Sequence, residues 1–291
     1  AVIEMASCAG LPLVEDRKNP KLTTTYGVGQ LILAAAESGV EKIIVGLGGS
    51  STNDGGCGAA AAVGIKFYDK DGKEFVPTGG TTADIAKIDL SGRAKVLDQV
   101  EIVTMCDIDN PMYGPTGASY IFGPQKGADE AMVEELDAGI KNLSRVIAEA
   151  TGEDISQVPG TGAAGAMGAG MIAFFGSRLQ MGIQTVLDTV NFDEMIKDAD
   201  YIITGEGKLD SQSLRGKVVI GIAERAKKQN KNVIAVVGGA DDSEIDKAYE
   251  MGVTAVFPIN RLPQDFSISR HHSKENLGYT VDNILRLLAA K

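Results

Sequence analysis

The sequence predicts an α/β protein of two domains, and three observations carry that prediction. Beyond residue 200, short apolar runs alternate with amphipathic helical stretches, the pattern of a parallel sheet with helical crossovers. Before it, strands, helices and a hairpin follow one another in mixed order, which indicates a separate α+β domain. At 291 residues and 44% apolar content, the chain is large enough for two cores. The boundary is expected near residue 190, giving a mixed α+β domain over 1–190 and a Rossmann-like domain over 191–291.

The elements follow in order. The opening "AVIEMAS" reads as an element already under way, with no initiator Met. Residues 26–38 have helical periodicity, and 42–47 form a buried-strand run. An Ala-rich helix covers 58–63, and "IKFYDKDGKEF" at 65–75 makes a hairpin on an Asp-Gly turn. A strand spans 100–106 and a long amphipathic helix 129–151. In the second domain, strands over 201–205, 233–239 and 253–259 alternate with helices over 216–228, 243–251 and 274–290. Three strands make half of a doubly wound sheet. That half-sheet and the missing Met together predict a further N-terminal segment.

Charge narrows the function classes. Lys plus Arg number 28 against 39 Asp plus Glu, a net charge of −11, with 5% aromatic residues. Such a chain is a poor partner for nucleic acid or an anionic membrane, but it can bind a small anion at a local positive site. Cys8, Cys57 and Cys106 are scattered with no Cys-x-x-Cys, so reduced thiols, a cytoplasmic setting and no zinc site are expected. Residues 160–177, "GTGAAGAMGAGMIAFFGS", carry no charge, yet their Gly/Ala content suits a closely packed helix better than a membrane span.

Three stretches carry candidate chemistry. "IIVGLGGSSTNDGGCG" at 43–58 runs from a strand through a Gly-rich loop into a helix, so N–H groups and the hydroxyls of Ser50, Ser51 and Thr52 converge on one point. Helix capping explains either Asn53 or Asp54, hardly both. The loop is not a Walker A motif, because no Lys follows the glycines. "TGEGKLDSQSLRGK" at 204–217 begins at the carboxyl end of a strand and holds Glu206, Lys208, Asp210, Arg215 and Lys217. Both signs of charge in one turn suit phosphoryl transfer, where cations neutralise phosphate oxygens and carboxylates hold Mg²⁺ or take a proton. "GTGAAG" at 160–165 matches GxGxxG, but no buried strand leads into it and Pro159 interrupts the approach, so it reads as packing or as a cleft wall. Asp107, Asp109 and Asn110 follow a strand and suit either a turn or a ligand site. Asp188, His271 and His272 read as helix-end or solvent residues.

Together, "VGLGGSSTNDGGCGAAAAVG", "PGTGAAGAMGAG" and "ITGEGKLDSQSLRGKV" resemble the bacterial class I glycerate kinases, along the whole of 1–291. The resemblance implies ATP- and Mg²⁺-dependent phosphorylation of D-glycerate, with 2-phosphoglycerate favoured over 3-phosphoglycerate. It also implies an active site in a cleft between the two domains. The family carries an N-terminal segment with Asp-Ser-Phe-Lys-Gly and Asp-Gly-Gly-Glu-Gly loops; neither is in this sequence, which predicts little kinase activity from 1–291 alone.

On this reading glycerate contacts Ser50, Ser51, Thr52, Asn53, Gly55 and Gly56. Catalysis is expected from Asp210, Glu206, Lys208, Arg215 and Asp54, Mg²⁺ binding from Asp210, Glu206 and Asp107, and nucleotide binding from Gly205, Gly207, Lys217 and Gly162. Which loop holds ATP and which glycerate stays open, and a homodimer is a possible assembly. Two rivals remain: a non-catalytic binder of small anions, and a dinucleotide-dependent oxidoreductase that rests on "GTGAAG" alone.

Overall fold

A computed structural model describes residues 1–290, which form two compact units, Ala1–Gln180 and the residues from Met181 onward. The first is built on strands β1 (Val2–Glu4) and β2 (Lys42–Gly46), joined through helix α1 (Tyr26–Glu37). Helix α2 (Cys57–Ala62) and a small antiparallel sheet of β3 (Lys66–Tyr68), β4 (Glu74–Phe75) and β5 (Lys87–Asp89) come next. Strand β6 (Glu101–Met105), helices α3 (Ala118–Phe122), α4 (Glu130–Thr151) and α5 (Ala163–Phe175), and strand β7 (Arg178–Gln180) complete the unit.

The main sheet has the order β1-β2-β6-β7 with every pair parallel. A parallel sheet is covered on both faces, and Ile43, Ile44 and Val45 in succession are all buried. The mixed order of elements read from the sequence pointed to an α+β domain here. The difference arises because β1 and β7 are three residues each, "VIE" and "RLQ", too short to leave an apolar run. Helix α4 turns Val133, Leu136, Ile140, Leu143 and Ile147 inward at spacings of three and four. Asp129 accepts from the Met132 N–H at its start, and Gly152 ends it at φ 80°.

The second unit begins with α6 (Gly182–Thr189), followed by β8 (Tyr201–Glu206), α7 (Val218–Lys227), β9 (Asn232–Val237), α8 (Asp242–Glu250), β10 (Ala255–Pro258) and α9 (Ser273–Ala289). Its sheet is β10-β9-β8, again parallel. Alternate residues of β9 serve opposite faces. Val233, Ala235 and Val237 pack with Val219, Ile220 and Ala223 of α7, while Ile234 and Val236 pack with Ile284 of α9. Residues 181–190 cluster with this unit rather than the first. Arg225 of α7 holds them there, donating to Gln184 at 3.2 Å and Asp188 at 2.6 Å, with a two-pronged bond to Asp193. Among the described residues, no helix is long and apolar enough to cross a membrane.

Candidate functional site

In the first unit, β2 and β6 end side by side at Gly46 and Met105. Open parallel sheets bind ligands beyond their carboxyl ends, and here a cavity of about 260 Å³ opens there. Gly48, Gly49 and Ser50 line it from the loop after β2, Asp107 and Ile108 from the loop after β6, and Ala163 and Ala164 from the start of α5.

Most of the loop's polar groups hold the loop itself. Asp54 is fully buried. Its Oδ2 accepts from the Thr25 N–H at 2.8 Å, the Thr25 hydroxyl at 2.9 Å and the Gly58 N–H at 3.3 Å; its Oδ1 accepts from the Gly56 N–H at 3.2 Å. Thr25 immediately precedes α1 and Gly58 lies in the first turn of α2, so one carboxylate ties two helix N-termini together. Burial pushes its carboxyl up, and the hydrogen bonds from Thr25, Gly56 and Gly58 oppose that shift without cancelling it. This is the capping role. Ser51 donates its hydroxyl to the Ala9 carbonyl at 2.9 Å. The Gly55 N–H is engaged by the Gly165 carbonyl at 3.0 Å. A Cβ at Gly55 would lie 2.1 Å from the Leu143 side chain, a packing reason for glycine. Gly56, its N–H held by Asp54 and its Cα direction facing Met167 and Gly170, is of the same kind.

Two buried acceptors in this loop have no partner, Thr52 Oγ1 and Asn53 Oδ1. The Asn53 amide donates to the Ser119 hydroxyl at 3.1 Å. Beside them lies Lys126, 1% exposed, whose ammonium donates to the Thr52 carbonyl at 2.6 Å. Burial lowers its pKa from 10.5 to about 7, with the Asp54 charge opposing the shift.

The "GTGAAG" stretch forms the opposite wall. Ala164, Gly165 and Ala166 are successively left-handed, at φ 55°, 69° and 64°. For the two alanines such backbone costs roughly 1–3 kcal/mol each, strain that concentrates at ligand sites. Gly162 is a packing position: a Cβ there would lie 2.1 Å from the Pro111 carbonyl oxygen, and its N–H donates to the Asn110 carbonyl at 2.9 Å.

In the second unit, a cavity of about 220 Å³ sits past the carboxyl ends of all three strands. Gly207 and Lys208 line it after β8, Gly238 and Gly239 after β9, Asn260 after β10, and Arg270 and Ser273 from the head of α9. A neighbouring cavity of about 480 Å³ shares Asn260 and Ser269 with it and adds Arg261, His272 and Tyr279. A Cβ at Gly207 or Gly239 would meet nothing within 4 Å, so a ligand can reach the backbone there. Gly205 differs, since a Cβ there would lie 2.2 Å from the Val236 carbonyl oxygen of the adjacent strand, a packing reason for glycine.

Asp210 Oδ1 accepts from the Gln212 and Ser213 N–H groups at 2.9 and 3.4 Å, capping the next turn. Glu206 Oε1 is buried without a partner. Arg215 is exposed and does not line the cavity, and Lys217 is engaged by Gln212 at 2.9 Å. Among the described residues, no three His, Cys, Asp or Glu side chains gather as a metal cluster.

The model of the glycerate kinase family matches residues 1–289. This chain belongs to that family. A Bacillus cereus glycerate kinase is 45% identical over 98% of this chain and 74% of its own length. An Escherichia coli glycerate 2-kinase is 46% identical over 89% of this chain and 68% of its own. A crystal structure from Salmonella typhimurium LT2, described as a candidate glycerate kinase 2, superposes with a TM-score of 0.84 at 40% identity, covering 99% of this chain and 75% of that one.

Several residues in or beside these cavities escaped the sequence reading. Lys126 lies in "FGPQKG", a short run with no period, and only its burial distinguishes it. Gly238, Gly239, Asn260 and Arg270 come from separate loops that only the sheet brings together. The repeated strand-then-glycine pattern at 204–207 and 237–239 was the available signal.

Proposed function

We propose that this chain transfers the γ-phosphoryl group of ATP to the 2-hydroxyl of D-glycerate, giving 2-phosphoglycerate and ADP. Membership of the glycerate kinase family over residues 1–289 carries the reading. The hydroxyl oxygen forms the new P–O bond, the bond from the γ-phosphorus to its bridging oxygen breaks, and the hydroxyl proton leaves to a base.

The first-unit cavity takes the hydroxy acid. Its walls offer Ser50 and backbone groups at Gly48 and Gly49, scaled to a three-carbon anion. The second-unit cavity takes the triphosphate, supported by Lys208 and Arg270 on its lining and by glycines that admit close approach. Arg215 is proposed to reach the transferring phosphate. Mg²⁺ bound to a nucleotide needs only one or two protein carboxylates. Glu206, with its unpartnered Oε1, and Asp210 would hold it, where it would neutralise phosphate charge. Both units thereby serve one reaction. The free cysteines support a cytoplasmic setting.

The test is ATP-dependent consumption of D-glycerate, with the product identified by phosphorus NMR. A 3-phosphoglycerate signal overturns the regiochemistry, and no ATP turnover with D-glycerate overturns the function.

A further inference from the structure

Lys126 is a buried cation with one hydrogen-bond acceptor, the Thr52 carbonyl. A lysine so desolvated is costly, and its retention needs a reason. Its surroundings supply one. Thr52 precedes Asn53, and the side-chain oxygens of both are buried acceptors without partners. The Thr52 carbonyl is also a point of close approach: a Cβ on Gly165 would stand 2.1 Å from it. Three residues further along, the Gly55 N–H donates to the Gly165 carbonyl. Gly165 is the middle of the left-handed turn whose neighbour Ala164 lines the cavity, while Ser50 lines it from the other side. The ammonium therefore holds the peptide at which the two cavity walls meet.

We propose that Lys126 is a positioning residue, fixing the Thr52–Asn53 peptide against the Ala164–Ala166 turn so that the cavity keeps the shape that binds the hydroxy acid. This rests on the placement of D-glycerate in the first-unit cavity. Lys126 does not line that cavity and acts through Thr52. Without the lysine, the Thr52 carbonyl loses its donor, the Gly55–Gly165 bond loses its support, and the strained turn can relax.

The test is Lys126→Met in the full chain, which keeps length and removes the donor. Three readouts separate positioning from general support. Hydrogen exchange should quicken at least about tenfold at the Gly55 amide. KM for D-glycerate should rise at least about tenfold, with KM for ATP within about twofold. The melting temperature at pH 6, where the lysine is charged, should not fall by more than about 2 °C, because replacing a buried charge by an apolar side chain is often neutral or stabilising. Unchanged exchange at Gly55 overturns the proposal. Quickened exchange with an unchanged glycerate KM overturns the placement of the hydroxy acid here, and the proposal with it. A large fall in melting temperature with both KM values and kcat moving together makes Lys126 a structural residue only.

Discussion

The Gly-rich loop at 48–58 and the charged turn at 204–217 both follow the carboxyl end of a parallel strand and lead into a helix, yet they use their polar residues oppositely. In the first, residues 50–58 are all buried, and Asp54, Ser51 and the glycine amides bond within the protein. In the second, Lys208, Arg215 and Lys217 are exposed, and Lys208 faces a cavity. Polar content beside a strand end therefore has two uses. Buried, it holds the loop's own backbone; exposed, it stays open to solvent and to a ligand. Desolvation decides between them, since a buried polar group must find a partner inside the protein while an exposed one can wait for substrate.

The sharpest way to break this contrast is Asp54→Ala. Three backbone N–H groups and the Thr25 hydroxyl lose their acceptor, each worth about 1–3 kcal/mol when left buried and unpaired. We expect a loss of at least about 3 kcal/mol in urea denaturation. Unchanged stability with lost activity would return Asp54 to the ligand-binding groups.

Next in size is Asp210→Asn. The amide oxygen can still accept from Gln212 and Ser213, so the turn stays capped while the charge goes. A fall in kcat of about a hundredfold is expected, the range for losing acid–base or charge-stabilising help, with little change in melting temperature. Near-normal turnover would make the turn a surface feature.

Lys208 and Lys217 sharpen the comparison within the turn. Lys208→Met should raise KM for ATP about tenfold or more, each factor of ten being about 1.4 kcal/mol. Lys217→Met, which loses only an exposed bond to Gln212, should change it less than about twofold. Equal effects would mean that the cavity at Gly207–Lys208 is not the phosphate site.

The smallest expected effect is a pH dependence carried by Lys126. Its pKa is about 7 folded and 10.5 in the unfolded chain, so between these values the unfolded chain holds more protons. Stability should therefore rise with pH across that window. From pH 7.5 to 8.5 the lysine contributes at most about 1.4 kcal/mol. Denaturation of wild type and Lys126→Met at both pH values isolates the term, because other titrating groups are common to both. An identical slope in the two proteins would show that Lys126 stays protonated in the fold.

By itself the sequence determined the regular elements and the family. The strands at 42–47 and 201–205 and the helix at 129–151 stand close to where apolar runs and three-four spacing put them, because those signals are local. The three quoted motifs carry the glycerate kinase likeness because each keeps many residue types at fixed spacing within one loop. Tertiary structure alone decided how those residues are used. Asp54 became a double helix cap because Thr25 reaches it from 29 residues away, and Lys126 came to matter because Thr52, 74 residues distant, lies against it. The first unit's parallel sheet was closed by β1 and β7, three-residue strands defined by their neighbours' hydrogen bonds rather than their own composition. Burial and long-range pairing are properties of the packed chain. Residue types and spacings name the candidates, and desolvation with distant partners decides which of them hold the fold and which remain for the ligand.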